Sequence, residues 1–204
     1  MANPYDFDTC LKIIERKGKE LFGQHFRIHD EDHELIAKLL SYILKDEETA
    51  RRFNISLQKG IVLSGPVGCG KTSLMSILRF FQPGDNRYVM KSCRDVSFEF
   101  IQDGYSVILK YSKQSFSQEK PKAYCFDDLG TENNLKYYGN ECNVMAEILL
   151  SRYDLFVTRQ MTTHITTNLN SSEIESLYGI RVRSRMREMF NLINFGSSAR
   201  DKRL

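Results

Sequence analysis

The sequence predicts an α/β protein in which a parallel sheet is covered by helices on both faces. From residue 60 onward, short apolar segments alternate with stretches of helical periodicity, which is the pattern of successive strand–helix units. A glycine-rich loop directly follows the first apolar segment. The chain has 204 residues, of which 41% are hydrophobic and 27% are charged, and this composition is typical of a single globular domain.

A helical segment precedes the predicted sheet. Residues 6–22 carry apolar side chains at helical spacing, and Asp30 is placed to cap a second helix with an apolar stripe over residues 35–44. We therefore divide the chain into an N-terminal helical segment, residues 1–53, and an α/β core, residues 54–204. The simplest role for the helical segment is to pack against the core.

Five strands and five further helices are predicted within the core, each from its own local pattern. The strands are apolar or β-branched segments, and the helices are longer stretches with apolar side chains on one face. The predicted strands cover residues 61–63, 88–90, 123–126, 162–167 and 190–195. The predicted helices cover residues 72–81, 95–116 with a break at Gly104, 140–159, 172–177 and 180–188.

The glycine-rich loop is the most specific motif in the sequence. Residues 65–72 read Gly-Pro-Val-Gly-Cys-Gly-Lys-Thr and match the pattern G-x-x-x-x-G-K-[ST] of ATP-binding phosphate loops. Glycines allow the backbone to wrap closely around phosphate, with N–H groups pointing inward and the positive end of the next helix directed at the same place. Lys71 is expected to reach the outer phosphates and Thr72 to ligate Mg²⁺. The other predicted nucleotide contacts are Gly65, Pro66, Val67, Gly68, Cys69, Gly70 and Ser73.

Two carboxylates follow the third predicted strand. Asp127 and Asp128 come directly after the apolar segment 123–126. Because parallel strands deliver their carboxyl ends to the ligand crevice, Asp127 is expected to lie beside Thr72 and help to hold Mg²⁺. Asp128 is one residue further on, where the strand should open into a loop, and could polarise a water for attack on phosphorus. The alternative is a solvated acidic turn before Gly130.

The fourth predicted strand ends at Asn168. An amide at this point could orient the attacking water or contact the terminal phosphate, although the sequence Asn-Leu-Asn-Ser-Ser also favours a turn. His164 has no metal-ligating companion nearby in the sequence and is interpreted as structural.

Basic side chains are concentrated at the C-terminal end. The net charge is +3, but residues 179–204 contain seven basic and two acidic side chains, so the rest of the chain is slightly acidic. This asymmetry fits an anionic partner, either phosphate or nucleic acid, and a solvated basic face is the alternative. One arginine of the run 181–187 could reach a nucleotide held by a neighbouring subunit, and Arg200 could turn back to the nucleotide of its own chain. The basic residues are Arg181, Arg183, Arg185, Arg187, Arg200, Lys202 and Arg203.

Cysteine usage and hydropathy exclude several classes of protein. The five cysteines contain no C-x-x-C pair, so neither a zinc site nor a disulfide framework is indicated, and a reduced, cytoplasmic setting fits best. Mean hydropathy is −0.41, and no apolar run reaches membrane-spanning length, so we expect no membrane span.

Three segments together resemble the AAA+ ATPases of the DnaC/IstB type, which are helicase loaders and transposition helper proteins. The segments are CFDDLGTE at 125–132, THITTNL at 163–169 and YGIRVRSRMREMFNLINFGSSARDKR at 178–203. The resemblance covers about residues 55–204 and implies a P-loop core with strand order 5-1-4-3-2. The short stretch after the fifth strand implies that the helical lid of that family is truncated or absent.

The same resemblance implies roles for individual residues. It assigns a Walker A pair, a Walker B pair, a sensor 1 asparagine, an arginine finger that acts on a neighbouring subunit and a sensor 2 arginine. In that order, the residues are Lys71 with Thr72, Asp127 with Asp128, Asn168, Arg185 and Arg200.

The function implied by the resemblance is slow, assembly-dependent hydrolysis of ATP with Mg²⁺ by a homo-oligomer on DNA. The DNA, expected to be single-stranded, would contact Arg181, Arg183 and Arg187, and the client protein would be a replicative helicase. A transposase helper ATPase would share the same chemistry but serve a different client. The sequence also leaves open a P-loop small-molecule phosphotransferase and an ATP-dependent switch that binds the nucleotide without hydrolysing it.

Overall fold

Five parallel strands form the centre of the protein. The computed structural model describes residues 6–132, 135–137, 140–196 and 199–202. Counted along the chain, the five strands lie side by side in the order 5-1-4-3-2, as the family resemblance implies. Each neighbouring pair in this sheet is parallel. The strands are β1 (Gly60–Ser64), β2 (Val89–Ser92), β3 (Tyr124–Leu129), β4 (Thr163–Thr167) and β5 (Phe190–Asn194).

The carboxyl ends of the strands meet at one edge of the sheet. Ser64 at the end of β1 pairs with Thr167 of β4 and with Asn194 of β5. At the end of the strand order away from β5, Ser92 at the end of β2 pairs with Asp127 of β3. The loops that follow β1, β3 and β4 therefore leave the sheet from the same edge. We call this the carboxyl edge and the opposite one the amino edge.

Helices precede the sheet and connect its strands. Polar side chains cap the N-termini of several of these helices. Asn143 accepts a hydrogen bond from the backbone N–H of Ala146, and Asn170 forms a capping box with Glu173. In the ranges given above, no helix is long and apolar enough to cross a membrane. The helices are α1 (Phe7–Phe22), α2 (His33–Ile43), α3 (Glu47–Arg52), α4 (Lys71–Leu78), α5 (Cys93–Asp103), α6 (Ser106–Tyr111), α7 (Val144–Arg159) and α8 (Ser171–Met189). Three 3₁₀ turns cover Asp30–Asp32, Arg79–Phe81 and Gly84–Asn86, and a short antiparallel ribbon pairs Phe116–Ser117 with Lys120–Pro121.

The sheet separates two hydrophobic clusters. Alternate residues of β1 serve the two faces, because Ile61 and Leu63 belong to one cluster and Val62 to the other. Helices α1 to α4 cover the first face, and helices α5 to α8 cover the second. The prediction of helices on both faces is therefore confirmed.

The N-terminal helices share their core with the helix that follows the phosphate loop. Ile14 of α1 and Leu39 of α2 are fully buried in the same cluster as Met75 of α4. The ring of Phe26 lies directly over Gly18, where an added Cβ atom would be only 2.0 Å from the ring. This glycine therefore allows the loop after α1 to fold back onto the helix, beside the phosphate loop.

One predicted helix begins later than expected. The helix predicted over residues 140–159 starts at Val144, capped by Asn143. The residues before it, Asn140–Cys142, pair with Leu135–Tyr137 in a two-stranded antiparallel ribbon. The prediction of helix at Asn140 is wrong, because pairing with a second short strand outweighs the local pattern.

Other helices differ from prediction in their bounds. The helix predicted over residues 95–116 is α5 and α6, so it ends at Tyr111, and Phe116 lies in a short strand. The helix predicted over residues 72–81 is α4 followed by the 3₁₀ turn Arg79–Phe81. The helices predicted over residues 172–177 and 180–188 form the single element α8, which is interrupted at Gly179. The φ of 86° and ψ of 159° at this glycine are not helical, so the two halves of α8 meet at a break.

A buried arginine joins three segments on the α7 side of the sheet. Arg152 is completely buried, and its guanidinium donates to the carbonyl oxygens of Tyr111, Lys122 and Thr162 at 2.7, 3.0 and 2.8 Å. Its Nε donates to Thr163 Oγ1 at 2.7 Å. Burial lowers the pKa of Arg152 to about 9. The side chain thus fixes the end of α6 and the starts of β3 and β4 relative to one another.

His164 has the structural role that the sequence indicates. Its Nδ1 accepts a hydrogen bond from the backbone N–H of Ile61 at 3.2 Å, which ties β4 to β1. The ring packs against Tyr42 and Tyr88, with ring centroids 5.7 and 4.7 Å apart. Burial lowers the pKa of His164 to about 3, so the ring is neutral at neutral pH, and its proton lies on Nε2.

Candidate functional site

The phosphate loop joins the end of β1 to the start of α4. Two of its glycines adopt backbone conformations that other residues rarely take, with φ of 80° at Gly68 and 102° at Gly70. Gly70 directly precedes α4, which begins at Lys71. The turn thus directs backbone N–H groups and the positive end of α4 into the space beyond the carboxyl edge, as an anion site requires.

Lys71 is buried, with 5% of its surface exposed, and its ammonium group faces the loop. Nζ donates to the carbonyl oxygens of Gly65 at 3.0 Å and Pro66 at 2.8 Å. Nζ also donates to Asn168 Oδ1, so the loop lysine and the asparagine that follows β4 share one cleft. These oxygen acceptors and Cys69 Sγ, at 3.9 Å from Nζ, are neutral groups, and phosphate oxygens would bring anionic charge to this buried cation.

The hydroxyl of Thr72 and the carboxylate of Asp127 are in direct contact. Thr72 Oγ1 lies 2.9 Å from Oδ1 and 3.1 Å from Oδ2 of Asp127 and donates a hydrogen bond to this carboxylate. Thr166 Oγ1 donates to Oδ1 of Asp127 at 2.6 Å. Burial raises the pKa of Asp127, and the hydrogen bonds from Thr166 and Thr72 oppose this rise. A hydroxyl and a carboxylate are hard oxygen donors, so the pair fits Mg²⁺ bound beside phosphate. Sequence reasoning missed Thr166, for which a hydroxyl on a buried central strand was the available signal.

Asp128 lies at a bulge and not in an open loop. β3 continues to Leu129, and its register against β4 shifts between Phe126 and Leu129. Asp128 has a φ of 56°, and its backbone N–H donates to Thr166 Oγ1 at 2.9 Å. The expectation that the strand opens into a loop at Asp128 is therefore wrong. The bulge allows two successive side chains, Asp127 and Asp128, to face the same cleft.

A cavity of about 180 Å³ brings together several of the site residues predicted for a single chain. Asp128 and Asn168 line it together with Lys71 and Thr72. A candidate general base, an amide and an ammonium group thus surround one small space, in which a water and a terminal phosphate could meet. The remaining lining residues are Val67, Gly68, Gly70 and Ser73.

A larger cavity of about 940 Å³ adjoins the first one along the phosphate loop. Gly68, Gly70 and Ser73 line both cavities, and Arg200 lines the larger one, so the structure brings the predicted sensor 2 arginine to the cleft. The volume is that of a typical small-molecule site. The opposite wall belongs to the end of α1 and the loop after it, and sequence reasoning did not assign it. Its aromatic and basic side chains are Phe22, His25, Phe26, Arg27 and His29.

The C-terminal residues 199–202 return across the phosphate loop. The backbone N–H of Lys202 donates to the carbonyl oxygen of Gly68 at 3.0 Å, and its Nζ forms an ion pair with Asp32. The carboxyl group of Asp201 lies so close to Gly68 that an added Cβ atom there would be 2.2 Å away. These contacts place residues 199–202 at the mouth of the cleft.

Glu132 links the acidic strand to α8 and was not singled out from the sequence. One of its oxygens accepts from the backbone N–H of Gly130 at 2.9 Å, and the other accepts from the hydroxyl of Tyr178. Burial raises the pKa of Glu132, and the hydrogen bond from Tyr178 opposes this rise. The segment that follows β3 is thereby tied to α8, one residue before the break at Gly179.

Arg185 lies outside the cleft around the phosphate loop, since it lines neither of the two cavities. α8 begins after β4 at the carboxyl edge and ends at Met189, directly before β5 starts at the amino edge. Arg185 is about one helical turn before that end, so its backbone lies between the two edges, nearer the amino edge. The structure does not bring Arg185 together with Lys71, Asp128 and Asn168.

The other arginines of α8 differ in how freely they can meet a ligand. Arg181 and Arg187 are exposed. Arg183 donates to Ser171 Oγ at 2.9 Å and forms an ion pair with Glu175. Arg183 is thus held by its own helix and is a weaker candidate for a nucleic-acid contact than the sequence predicts. Arg203 of the predicted basic tail lies outside the described residues.

The chain is similar in fold to several solved structures. A crystal structure of the DnaC helicase loader matches 83% of this chain and 92% of that chain, with a TM-score of 0.55 and 19% identity. The crystal structure of DnaI matches 83% of this chain and 87% of that one, with a TM-score of 0.51 and 19% identity. The crystal structure of a putative primosome component from Streptococcus pyogenes serotype M3 matches 84% of this chain and 83% of that one, with a TM-score of 0.58 and 16% identity.

Comparisons of sequence add nothing to this result. No family model matches the chain, and no curated protein matches it. At the identities given above, the structural similarity shows the fold alone, which is that of the DnaC and DnaI structures. The geometry of the cleft is what indicates its chemistry.

Proposed function

We propose that the protein binds ATP with Mg²⁺ at the phosphate loop and hydrolyses it slowly, as a homo-oligomer on DNA that loads a replicative helicase. The observation that supports this most is that one cleft gathers the predicted residues of a single chain while the predicted finger lies outside it. The cleft at the carboxyl edge holds the lysine, the candidate Mg²⁺ ligands, the candidate base and the amide. Arg185 lines neither cavity at the phosphate loop and would act on the nucleotide of another copy.

Each side chain of the cleft has a role that its position supports. The loop amides and Lys71 would hold the phosphates, and Thr72 and Asp127 would hold Mg²⁺. The bound ion would supply neutralisation of phosphate charge. Asp128 is placed to accept a proton from the attacking water, and Asn168 is placed to orient that water.

The larger cavity would take the adenosine part of the nucleotide. Its aromatic wall, which includes Phe22, His25 and Phe26, offers flat apolar surfaces to a purine ring. Arg200 lines the same cavity and would contact the phosphates from within the same chain. The return of Lys202 over Gly68 closes this side of the cleft.

The loader role is supported by the similarity to the DnaC helicase loader and to DnaI over more than four fifths of each chain. DNA contact is assigned to Arg181 and Arg187, which are exposed on α8. Arg183 contributes less, because Glu175 already neutralises its charge.

ATP turnover per subunit tests the shared site. The rate would be measured over a range of protein concentrations, with and without single-stranded DNA, with Lys71→Ala as the blank. We expect the rate per subunit to rise with concentration and with DNA. A flat rate that ignores DNA would instead support a monomeric phosphotransferase. ATP binding with no turnover above that of Asp128→Asn would support a switch.

The salt dependence of DNA affinity tests the nucleic-acid contacts. Each phosphate contact to a single strand contributes roughly 0.7 to the slope of log affinity against log salt. Replacement of Arg181 and Arg187 by alanine should therefore lower the slope by about 1.4. Arg183→Ala is the matched control on the same helix and should change the slope little. An unchanged slope in the double variant would leave these arginines as surface charge. ATP-dependent binding to a replicative helicase, measured by sedimentation, checks the client.

A further inference from the structure

We propose that Tyr153 and Glu188 are positioning residues that hold Arg185 in the orientation in which it meets the nucleotide of a second copy of this chain. The inference rests on the shared-site function proposed above and adds two residues to it. The three side chains form a cluster on α7 and α8, which we call the finger cluster.

The three members of the finger cluster contact one another in a closed arrangement. The guanidinium carbon of Arg185 lies 4.3 Å from the centroid of the Tyr153 ring. Arg185 Nη1 donates to the Tyr153 hydroxyl at 3.0 Å and to Glu188 Oε1 at 3.4 Å. The Tyr153 hydroxyl donates in turn to Glu188 Oε2 at 2.7 Å. Each group therefore fixes the other two.

These contacts restrict a side chain that is otherwise among the most flexible. Stacking on Tyr153 sets the plane of the guanidinium, and the bonds to Nη1 set its rotation within that plane. Ordering Arg185 in advance removes an entropic cost from the step in which it meets a phosphate. Positioning of this kind affects turnover more than nucleotide binding, because the arginine acts on charge that develops during hydrolysis.

The finger cluster leaves part of the guanidinium available. Over the described residues, the hydrogen bonds of Arg185 use Nη1, so Nη2 and Nε can still donate to an incoming anion. Two donors on one edge match the spacing of two phosphate oxygens. With 37% of its side chain exposed, Arg185 is both held and accessible.

The surface around the finger cluster fits a second copy of the chain. Val157 lies one turn beyond Tyr153 on α7 and is 61% exposed. An exposed branched side chain beside an aromatic ring and an arginine is typical of protein interfaces. Since Arg185 lines neither cavity at the phosphate loop of its own chain, the partner that would bring a nucleotide to this surface is another copy.

The test uses mixtures of two variants that are each inactive alone. Lys71→Ala lacks nucleotide but retains Arg185, and Arg185→Ala retains nucleotide but lacks the finger. A mixture should recover ATP turnover, because a Lys71→Ala subunit donates its arginine to the nucleotide of its neighbour. Tyr153→Ala is then introduced into one of the two subunits at a time, and the recovered turnover is compared between the two placements.

The two placements should differ. In the subunit that donates Arg185, we expect Tyr153→Ala to lower the recovered turnover about tenfold at saturating subunit concentration, with the KM for ATP unchanged. The Arg185→Ala subunit has no finger to position, so Tyr153→Ala in that subunit should leave the recovered turnover unchanged. The turnover recovered with the two placements should therefore differ by close to the full tenfold. Tyr153→Phe in the donating subunit keeps the ring and removes the hydroxyl, and Glu188→Gln removes the charge. Each should give an intermediate loss.

Other results would overturn the positioning role. Equal losses from both placements would show that Tyr153 only supports the local fold, and no loss from either would show that it does not act on Arg185. Tyr153→Leu retains the bulk of the side chain and, with circular dichroism of every variant, separates misfolding from mispositioning. If the simple mixture recovers no turnover, the shared site itself is wrong, and the positioning role falls with it.

Discussion

Mild acid should destabilise this fold in a direction and amount that follow from His164. The neutral ring is fully enclosed beside Tyr42 and Tyr88, and its Nδ1 accepts the backbone N–H of Ile61. A proton on Nδ1 would turn this acceptor into a donor that faces the N–H of Ile61. It would also place a charge where burial disfavours it. Burial therefore lowers the pKa of His164 from 6.5 to about 3.

The size of the effect follows from this difference in pKa. The unfolded chain takes up a proton at His164 near pH 6.5, whereas the folded protein does so only near pH 3. Between these values the unfolded state binds more protons, so stability falls as the pH falls. At 1.36 kcal/mol for each pKa unit, the loss is about 2 kcal/mol at pH 5 and approaches about 5 kcal/mol near pH 3. The total free energy of unfolding of a native domain is only about 5 to 15 kcal/mol.

Urea unfolding of the wild type and His164→Asn, at pH 7 and at pH 5, measures this contribution. Asparagine cannot titrate but can still accept the Ile61 N–H. We expect the variant to be less stable at pH 7, because its smaller side chain leaves space beside Tyr42 and Tyr88. Between pH 7 and pH 5 it should lose about 2 kcal/mol less than the wild type, which is about 1 M urea in the midpoint at a typical slope. Other titrating groups are common to both proteins and cancel. Equal losses in the two proteins would refute the assignment of a buried neutral ring.

Three further substitutions test the cleft and the core. Lys71→Ala should abolish ATP binding in calorimetry, because it removes the buried ammonium group that the phosphates need, and undiminished affinity would contradict the phosphate-loop assignment. Asp128→Asn should retain ATP affinity and lower turnover by about 100-fold or more, and a normal rate would exclude Asp128 as the base. Arg152→Met should cost about 3 to 5 kcal/mol in chemical unfolding, because it leaves the carbonyls of Tyr111, Lys122 and Thr162 without their donor. A loss below 1 kcal/mol would show that water replaces the guanidinium at about equal free energy.

Local patterns were sufficient for the parts of the site that are built from consecutive residues. The phosphate loop, the strand before it and the helix after it lie together in the sequence, so residues 60–78 could be predicted as a unit. Asp127 and Asn168 could be placed opposite the loop because parallel strands end at one edge of the sheet, whatever their side-chain contacts.

The features that were missed depend on contacts between distant parts of the chain. Two carboxylates after an apolar segment look like a strand end, and only the pairing of β3 with β4 shows that the strand continues through Asp128 with a φ of 56°. The ion pair between Lys202 and Asp32 joins residues 170 positions apart, so no local pattern could predict that the C-terminal residues cross the phosphate loop. The hydrogen bonds of Arg152 could not be predicted either, because its acceptors come from three separate segments.

The course of α8 explains why turnover in this chain should depend on assembly. Its first half is tied to the segment after β3 of its own chain, since Tyr178 donates to Glu132. Its second half carries Arg185 and ends at the amino edge. The break between the halves is at Gly179, where an added Cβ atom would meet nothing within 4 Å, so the positive φ of 86° and not lack of space favours glycine there. In the proposed oligomer, Arg185 would meet the nucleotide of a second copy, and the break at Gly179 would join this residue to the half of α8 that Glu132 holds.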